Sequence, residues 1–368
     1  MKIAAINVSH HRLKLDPPFR PSWDFSPRHH FDATVVRVTT DEGHEGVGSG
    51  DAMLGFEGHE HLFLGEDPLR LERHFRLLSN IQFHGGRCWP LDLALWDLAG
   101  KITGQPVWKL LGGRCDRIPA YASSATLRDD AEMAETAARF HGAGFAAMKV
   151  RFHRPDWRED IAALQAARDV VGDRLTLMVD CNQGWRMAHD DAPPWSFKDA
   201  LAVARELERL GVYWMEEPLF RGDAAGMRRL SDATDIRIAG GEMNRELHEF
   251  RALIEGRCLD VLQPDAALVG GITGLRRVAV MAEEAGLVFT PHTWTNGLGL
   301  IANAHLTAGL AAAPFIEYPF DPPEWSLQRR DFMLCEPVGL QDGMLVLSEK
   351  PGFGVELDEE RLERSLKR

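Results

Sequence analysis

Seven short apolar runs in this chain each end in ionisable residues. In order these are Lys149 and Arg151, Asp180, the pair Glu216 and Glu217, Glu242, Asp265, His292 and Glu317. Taken singly, each has an ordinary explanation. An Asp after a strand commonly caps the next helix, and a lone His is commonly a satisfied core residue. Lys149 and Arg151 share one side of a strand simply because they stand two apart. Jointly these explanations fail, because so many charges at one mouth repel and desolvate one another unless a cation and an anionic substrate balance them. Asp180, Glu216 and Glu242 offer hard oxygens from adjacent strands with few His or Cys competitors, which favours one Mg²⁺ over Zn²⁺. Period-two alternation sends only one of Glu216 and Glu217 inward. Lys149 and Arg151 stand ready to pair with a substrate carboxylate. Asp265 can fix the tautomer of His292 and raise its basicity, which makes the two a candidate general-base dyad.

The elements that must hold these residues repeat. Apolar runs at Ile118–Ser123, Ala146–Arg151, Leu175–Asp180, Val212–Glu217, Ile236–Gly241, Leu259–Pro264, Leu287–His292 and Pro314–Tyr318 alternate with helical stretches such as Asp160–Val171, Phe197–Leu210, Arg245–Glu255 and Thr273–Ala285. Such alternation predicts an α/β fold, a (β/α)8-type barrel whose strand ends carry the chemistry at one rim. An open sheet of the same strands satisfies the same count. Residues 1–118 differ: strand-like runs (Ile3–Val8, Asp32–Thr39, Glu45–Gly48) precede a helix at Leu91–Thr103 that Gly104 and Pro106 stop. We therefore expect an N-terminal α+β capping domain at 1–118 and a barrel at 119–323. The segment 324–368 is expected to pack back on the first region and complete it.

Composition narrows the function. The chain has 368 residues, 42 basic and 55 acidic, for a net charge of −13. That balance repels phosphate backbones and argues against nucleic acid as a partner. No apolar stretch approaches the roughly 20 residues that cross a bilayer, so no membrane partner is expected. The start of the chain alternates like a strand and lacks a signal-peptide core. The 5 cysteines are scattered without a paired motif, which suits a reducing cytoplasm. Gly46, Gly48 and Gly50 imitate a dinucleotide-binding turn without its helix, and His59–Glu60–His61 lacks the spacing of a zinc site. A strand-ending turn and a solvated loop are the better readings.

These residues resemble the enolase superfamily, and within it the mandelate racemase subgroup. The resemblance covers nearly the whole chain. It runs from VVRVTTDEGHEGVG through LDLALWDLAGKITGQPVWKLLGG to the tail, and its motifs are Lys149 with Arg151, Asp180 with Asn182, Glu216–Glu217–Pro218, Gly241–Glu242, Pro264–Asp265 and Pro291–His292, in that order. It implies one Mg²⁺ on Asp180, Glu216 and Glu242, abstraction of the proton α to a carboxylate to give an enediolate, and Asp265–His292 as the base. It further implies that Lys149 helps hold the substrate carboxylate, that Glu317 hydrogen-bonds it, and that loops around Phe19–Trp23 and Met53–Phe56 close over the barrel.

The chain departs from the subgroup's pattern at Arg151, where its racemases and epimerases typically carry a second lysine. A guanidinium is a poor proton acceptor near neutrality, although arginine serves as a base in unusual surroundings. One-sided abstraction suits β-elimination of water, so an acid-sugar dehydratase (a Mg-dependent hydro-lyase giving a 2-keto-3-deoxy acid) is the favoured reading. A racemase or epimerase of a 2-hydroxy or amino acid, a dehydratase of a hydroxylated cyclic amino acid, and an inactive carboxylate-binding homologue are the alternatives. The partner is a small-molecule carboxylate, and barrels of this kind commonly form homo-oligomers. Asn182, Trp23 and Trp294 are candidates to touch substrate. Arg20 is equally consistent with a distal carboxylate contact and with a solvated side chain.

Overall fold

The computed structural model describes residues 1–188, 190–311 and 313–367. The chain begins with an antiparallel sheet of β1 (Ile3–Phe19), β2 (Arg28–Thr40) and β3 (Glu45–Gly50), paired in that order. β1 runs far beyond the expected Ile3–Val8, because its alternation continues through buried His11 and Leu15 to Phe19 and pairs with β2 as far as Phe19 opposite Arg28. Helices α1 (Leu71–His84) and α2 (Trp89–Thr103) cover this sheet. The glycines of β3 serve that contact. A Cβ on Gly46 would strike the Ala94 carbonyl and one on Gly48 the Pro90 carbonyl, so only glycine lets the strand lie this close to α2. Buried Asp97 of α2 ties the pieces together, accepting from Val47 N at 2.8 Å and from Phe353 N, in the tail, at 2.7 Å.

A short helix α3 (Val107–Leu110) leads into eight parallel strands: β4 (Arg117–Ser123), β5 (Ala147–Arg151), β6 (Thr176–Asp180), β7 (Trp214–Glu216), β8 (Arg237–Gly240), β9 (Val261–Leu262), β10 (Val288–Phe289) and β11 (Ile316–Pro319). Each neighbours the next, and β11 returns to pair with β4, which curls the sheet round on itself. Between β10 and β11 the join is a side-chain bond, Thr290 Oγ1 to the Phe315 carbonyl, rather than a ladder among the described residues. Helices α4 (Asp130–Gly142), α5 (Trp157–Val171), α6 (Phe197–Arg209), α7 (Ala224–Ala233), α8 (Leu247–Glu255), α9 (Gly271–Glu284) and α10 (Gly297–Leu310) follow the first seven strands. α4 shows the local logic. Asp129 caps it by accepting from Glu132 N, and Met133, Ala137 and Phe140 recur at helical spacing on the buried face.

The strand period explains where the charges go. Inside the curl, Tyr121, Ala147, Met178, Trp214, Ala239 and Val261 form an apolar floor. Two residues further along the same strand faces stand Ser123, Lys149, Asp180 and Glu216. The intervening residues, among them Met148, Val179 and Met215, point outward into the main core beneath the helices.

The tail continues as α11 (Leu327–Arg330), β12 (Met344–Val346) and α12 (Glu359–Ser365). β12 adds antiparallel to the start of β4, and α12 lies on the first sheet, where Leu362 O meets His11 Nδ1 at 3.1 Å and Glu359 meets Arg37 at 2.7 Å. α2 docks on the barrel through Trp96 Nε1 donating to Thr273 Oγ1 at 2.8 Å.

Candidate active site

The rim of strand ends forms a cleft of about 140 Å³, lined by Phe19, Trp23, Arg28, Phe31, Asp51, Arg151, Asn182, Trp185, Glu242, Leu268, His292, Trp294, and Trp325. On its barrel side, oxygens of Asp180, Glu216 and Glu242 lie within 4.8 Å of one another, all three residues buried. Lys149 is fully buried beneath them. Its Nζ donates to both oxygens of Glu216 at 2.8 and 2.9 Å and meets Glu317 Oε1 at 2.8 Å. Lys149 does not line the cleft, so its charge reaches the rim from one layer below.

Arg151 is committed on every side. Its Nε donates to the Ser124 carbonyl at 2.8 Å, its Nη1 is bonded to Asp180, and its guanidinium lies over the rings of Trp23 at 4.7 Å and Trp294 at 5.7 Å. Burial works against its charge, but Asp180, Glu216 and Glu317 outweigh that and raise its pKa above the ordinary arginine value.

His292 Nδ1 bonds Asp265 Oδ2 at 3.0 Å, which leaves Nε2 facing Glu242 Oε2 at 3.6 Å. Asp265 is itself held: its Oδ1 accepts from Ala267 N at 2.8 Å and from Asn303 Nδ2 of α10 at 2.9 Å. Burial disfavours the imidazolium, yet Glu242, the Asp265 bond and Glu317 together push its pKa up to about 10. A divalent cation on Glu242 would offset that carboxylate and bring the value down.

Glu317 does not line the cleft and is held by three donors. Its Oε1 accepts from Ser123 Oγ at 2.7 Å and from Lys149, and its Oε2 from Thr293 N at 2.7 Å. Burial pushes its carboxyl up, but Lys149, His292 and Arg151 hold it ionised at about 2. Of the pair Glu216 and Glu217, Glu216 alone joins the carboxylate cluster, while Glu217 leaves the strand with φ +47° and is buried outside it. Glu217 Oε2 has no partner, and burial with Glu242, Asp180 and Glu216 raises its carboxyl well above the usual range.

Among the residues expected to touch substrate, Trp23, Trp294 and Asn182 line the cleft. Asn182 adopts φ +50°, with its backbone N–H on Asp180 Oδ1 at 2.8 Å. Arg20 does not come to the site: it is exposed at the end of β1, whereas Arg28, at the start of β2 and bonded to Asp24, lines the wall. Met53 and Phe56 do not line the cleft, being buried against the cap helices. Asp51, Phe31 and Trp325 stand where sequence reasoning placed nothing, since they come from the cap and the tail. The residues fit a hard divalent cation: three clustered carboxylates, Glu242 Oε2 buried without a partner, and more acids than Lys149 and Arg151 can neutralise.

Comparison with known proteins agrees along the chain. The family described as mandelate racemase / muconate lactonizing enzyme, N-terminal domain, matches residues 4–112. The family described as enolase C-terminal domain-like matches residues 132–361. The chain is 30% identical over 355 residues to a 3,6-anhydro-alpha-L-galactonate cycloisomerase of Streptomyces coelicolor, covering 91% of each. It is 31% identical over 345 residues to an L-talarate/galactarate dehydratase of Salmonella typhimurium, covering 89% of this chain and 80% of that one. A crystal structure of a racemase from Streptomyces coelicolor with bound magnesium superposes with a TM-score of 0.86 at 28% identity, over 99% of this chain and 100% of that one. The relatives thus span three reaction types. No helix among the described residues is long and apolar enough to cross a membrane.

Proposed function

Since the chain belongs to the enolase superfamily, in its mandelate racemase subgroup, we propose that it removes the proton α to a carboxylate and then eliminates water, converting a sugar acid to its 2-keto-3-deoxy product. The observation that carries this reading is the state of Arg151. Its donors are engaged by Asp180 and Ser124 and its plane by Trp23 and Trp294, so among the barrel's strand ends one evident base remains, His292. Asp180, Glu216 and Glu242 would hold Mg²⁺, as a relative's structure does. When bound, the ion supplies Lewis-acid stabilisation of the charge that builds on the substrate carboxylate.

The chain's own residues do the rest. Asp265 accepts from Nδ1–H of His292 and thereby keeps the lone pair on Nε2, the atom that takes the C2 proton. Arg151 presents a fixed positive charge at the cleft wall, and Lys149 adds a second from below. The C3 hydroxyl leaves with the proton that His292 has gained, so water departs, the base is restored, and the enol left behind tautomerises to the ketone. Trp23, Trp294 and the cap wall exclude solvent while this happens.

The test is turnover of a sugar-acid panel in D₂O with Mg²⁺. A 2-keto product carrying deuterium at C3 is expected. Stereoinversion at C2 with α-deuterium and no keto product would replace this reading with a racemase or epimerase.

A further inference from the structure

Within the cleft, a set of polar atoms lacks partners. Asp51 Oδ1, Asn182 Oδ1, Trp185 Nε1, Glu242 Oε2 and Trp325 Nε1 are all buried and unbonded, and all five residues line the cleft. Buried polar atoms are nearly always satisfied, so their concentration here describes the complement of a bound molecule. Glu242 belongs to the metal cluster, and Asn182 and Trp185 follow β6 beside Asp180. Asp51 and Trp325 come from the cap and the tail.

Asp51 follows the last residue of β3 and makes no ion pair among the described residues. The charged groups that act on it are Asp265, Arg28, His292 and Arg87. Arg28 is taken by Asp24, and Arg87 lines a neighbouring cavity that Asp51 also borders, without bonding Asp51. Burial and the Asp265 charge lift the Asp51 carboxyl to about 7.

We propose that Asp51 determines specificity by bonding a hydroxyl on the part of the substrate chain that meets the cap wall, and so selects polyhydroxy monocarboxylates over dicarboxylates. This rests on the reading that the reacting carboxylate lies at the metal end. A hydroxyl at the cap wall can donate to Asp51, and a hydroxyl on the same chain can accept from the Trp325 indole N–H. When Asp51 is ionised, a second carboxylate would bring like charge to it and offer only acceptors where an acceptor already waits. The rings of Phe19, Trp294 and Trp325, stacked at 5.0 to 6.0 Å, present flat faces to a carbon chain rather than cations to an anion.

The experiment compares acids of one configuration that differ only in a terminal CH₂OH or CO₂⁻, for the wild type and Asp51→Asn. The wild type should prefer the monocarboxylate by about tenfold or more in kcat/KM, and Asp51→Asn should erase most of that preference through KM. Asp51→Glu, with thermal melts of both variants, separates a misfolded protein from an altered site. The same pairs are also titrated by thermal shift with Mg²⁺ in His292→Asn, with and without Asp51→Asn. If no acid is turned over but monocarboxylates bind with dependence on Asp51, the elimination reading falls and the role of Asp51 stands. If acids are turned over and Asp51→Asn leaves the preference unchanged, or the wild type prefers dicarboxylates, the role of Asp51 falls. Absence of both binding and turnover across the pairs also counts against it.

Discussion

His305 gives a pH-dependent stability that can be worked from the structure. It sits on α10, fully buried, where its Nδ1 accepts from Trp108 N at 3.0 Å and its Nε2 donates to the Phe353 carbonyl at 3.2 Å. The ring thus joins three separate segments as the neutral tautomer. Burial lowers its pKa from 6.5 to about 4. Because the folded value is depressed, the unfolded chain takes up the proton first, so the stabilisation is complete above 6.5 and is lost as pH falls towards 4. Between about pH 7.5 and pH 5 the loss comes to about 2 kcal/mol at ~1.4 kcal/mol per pH unit. His305→Gln removes the titrating group. Urea unfolding of both proteins across this range should show their stability difference shrinking by about 2 kcal/mol on acidification. A difference that stays constant with pH would mean His305 does not titrate as described. The effect touches function, because the same helix carries Asn303, which holds Asp265.

Further outcomes follow from the same contacts. Asn303→Leu leaves Ala266 N–H without its acceptor and Asp265 with one bond fewer; unfolding should show a loss of about 1–3 kcal/mol, and kcat should fall more than KM rises. His292→Asn should abolish α-proton exchange in D₂O while calorimetry still detects Mg²⁺ binding, and Asp265→Asn should cut kcat by roughly 10²–10⁴; exchange at the wild-type rate in His292→Asn would remove it as the base. Arg151→Met leaves buried Asp180 with only Lys149, 3.9 Å away, which should cost up to about 3–5 kcal/mol in metal-free protein. Added Mg²⁺ should recover part of that, so its effect on the melting temperature should exceed the wild-type effect; equal shifts would contradict the pairing.

The barrel was legible because its signal is local. β5 and β6 begin within a residue of expectation and end on the expected Arg151 and Asp180, since a strand with an apolar outer face and a charged inner end writes its own period. The ligand cluster and the Asp265–His292 dyad follow from strand order alone. Contacts between distant segments were not legible. Whether Arg20 or Arg28 reaches the cleft depends on how the turn between β1 and β2 folds over the rim. Asp51 differs from Met53 only by which side of the loop after β3 meets the barrel. The burial of Glu217 outside the cluster was not legible, because a left-handed residue ends the pleat there, a backbone feature with no residue-type signature at a glutamate.

Arg151 also constrains stereochemistry. For a guanidinium to act as a base it must shed a proton that Asp180, Glu216, Glu317 and Glu242 all favour keeping. Its guanidinium is also held over the rings of Trp23 and Trp294. In the elimination proposed above, the proton acceptor for C2 and the proton donor for the departing hydroxyl would be the same atom, Nε2 of His292, because Nδ1 stays bonded to Asp265. One atom serving both positions requires the C2 hydrogen and the C3 hydroxyl to lie on one face of the bound chain. Elimination should therefore be syn, and of two acids epimeric at C3 only the one that can present both groups to His292 should lose water. Equal turnover of both epimers would require a second acid in the cleft.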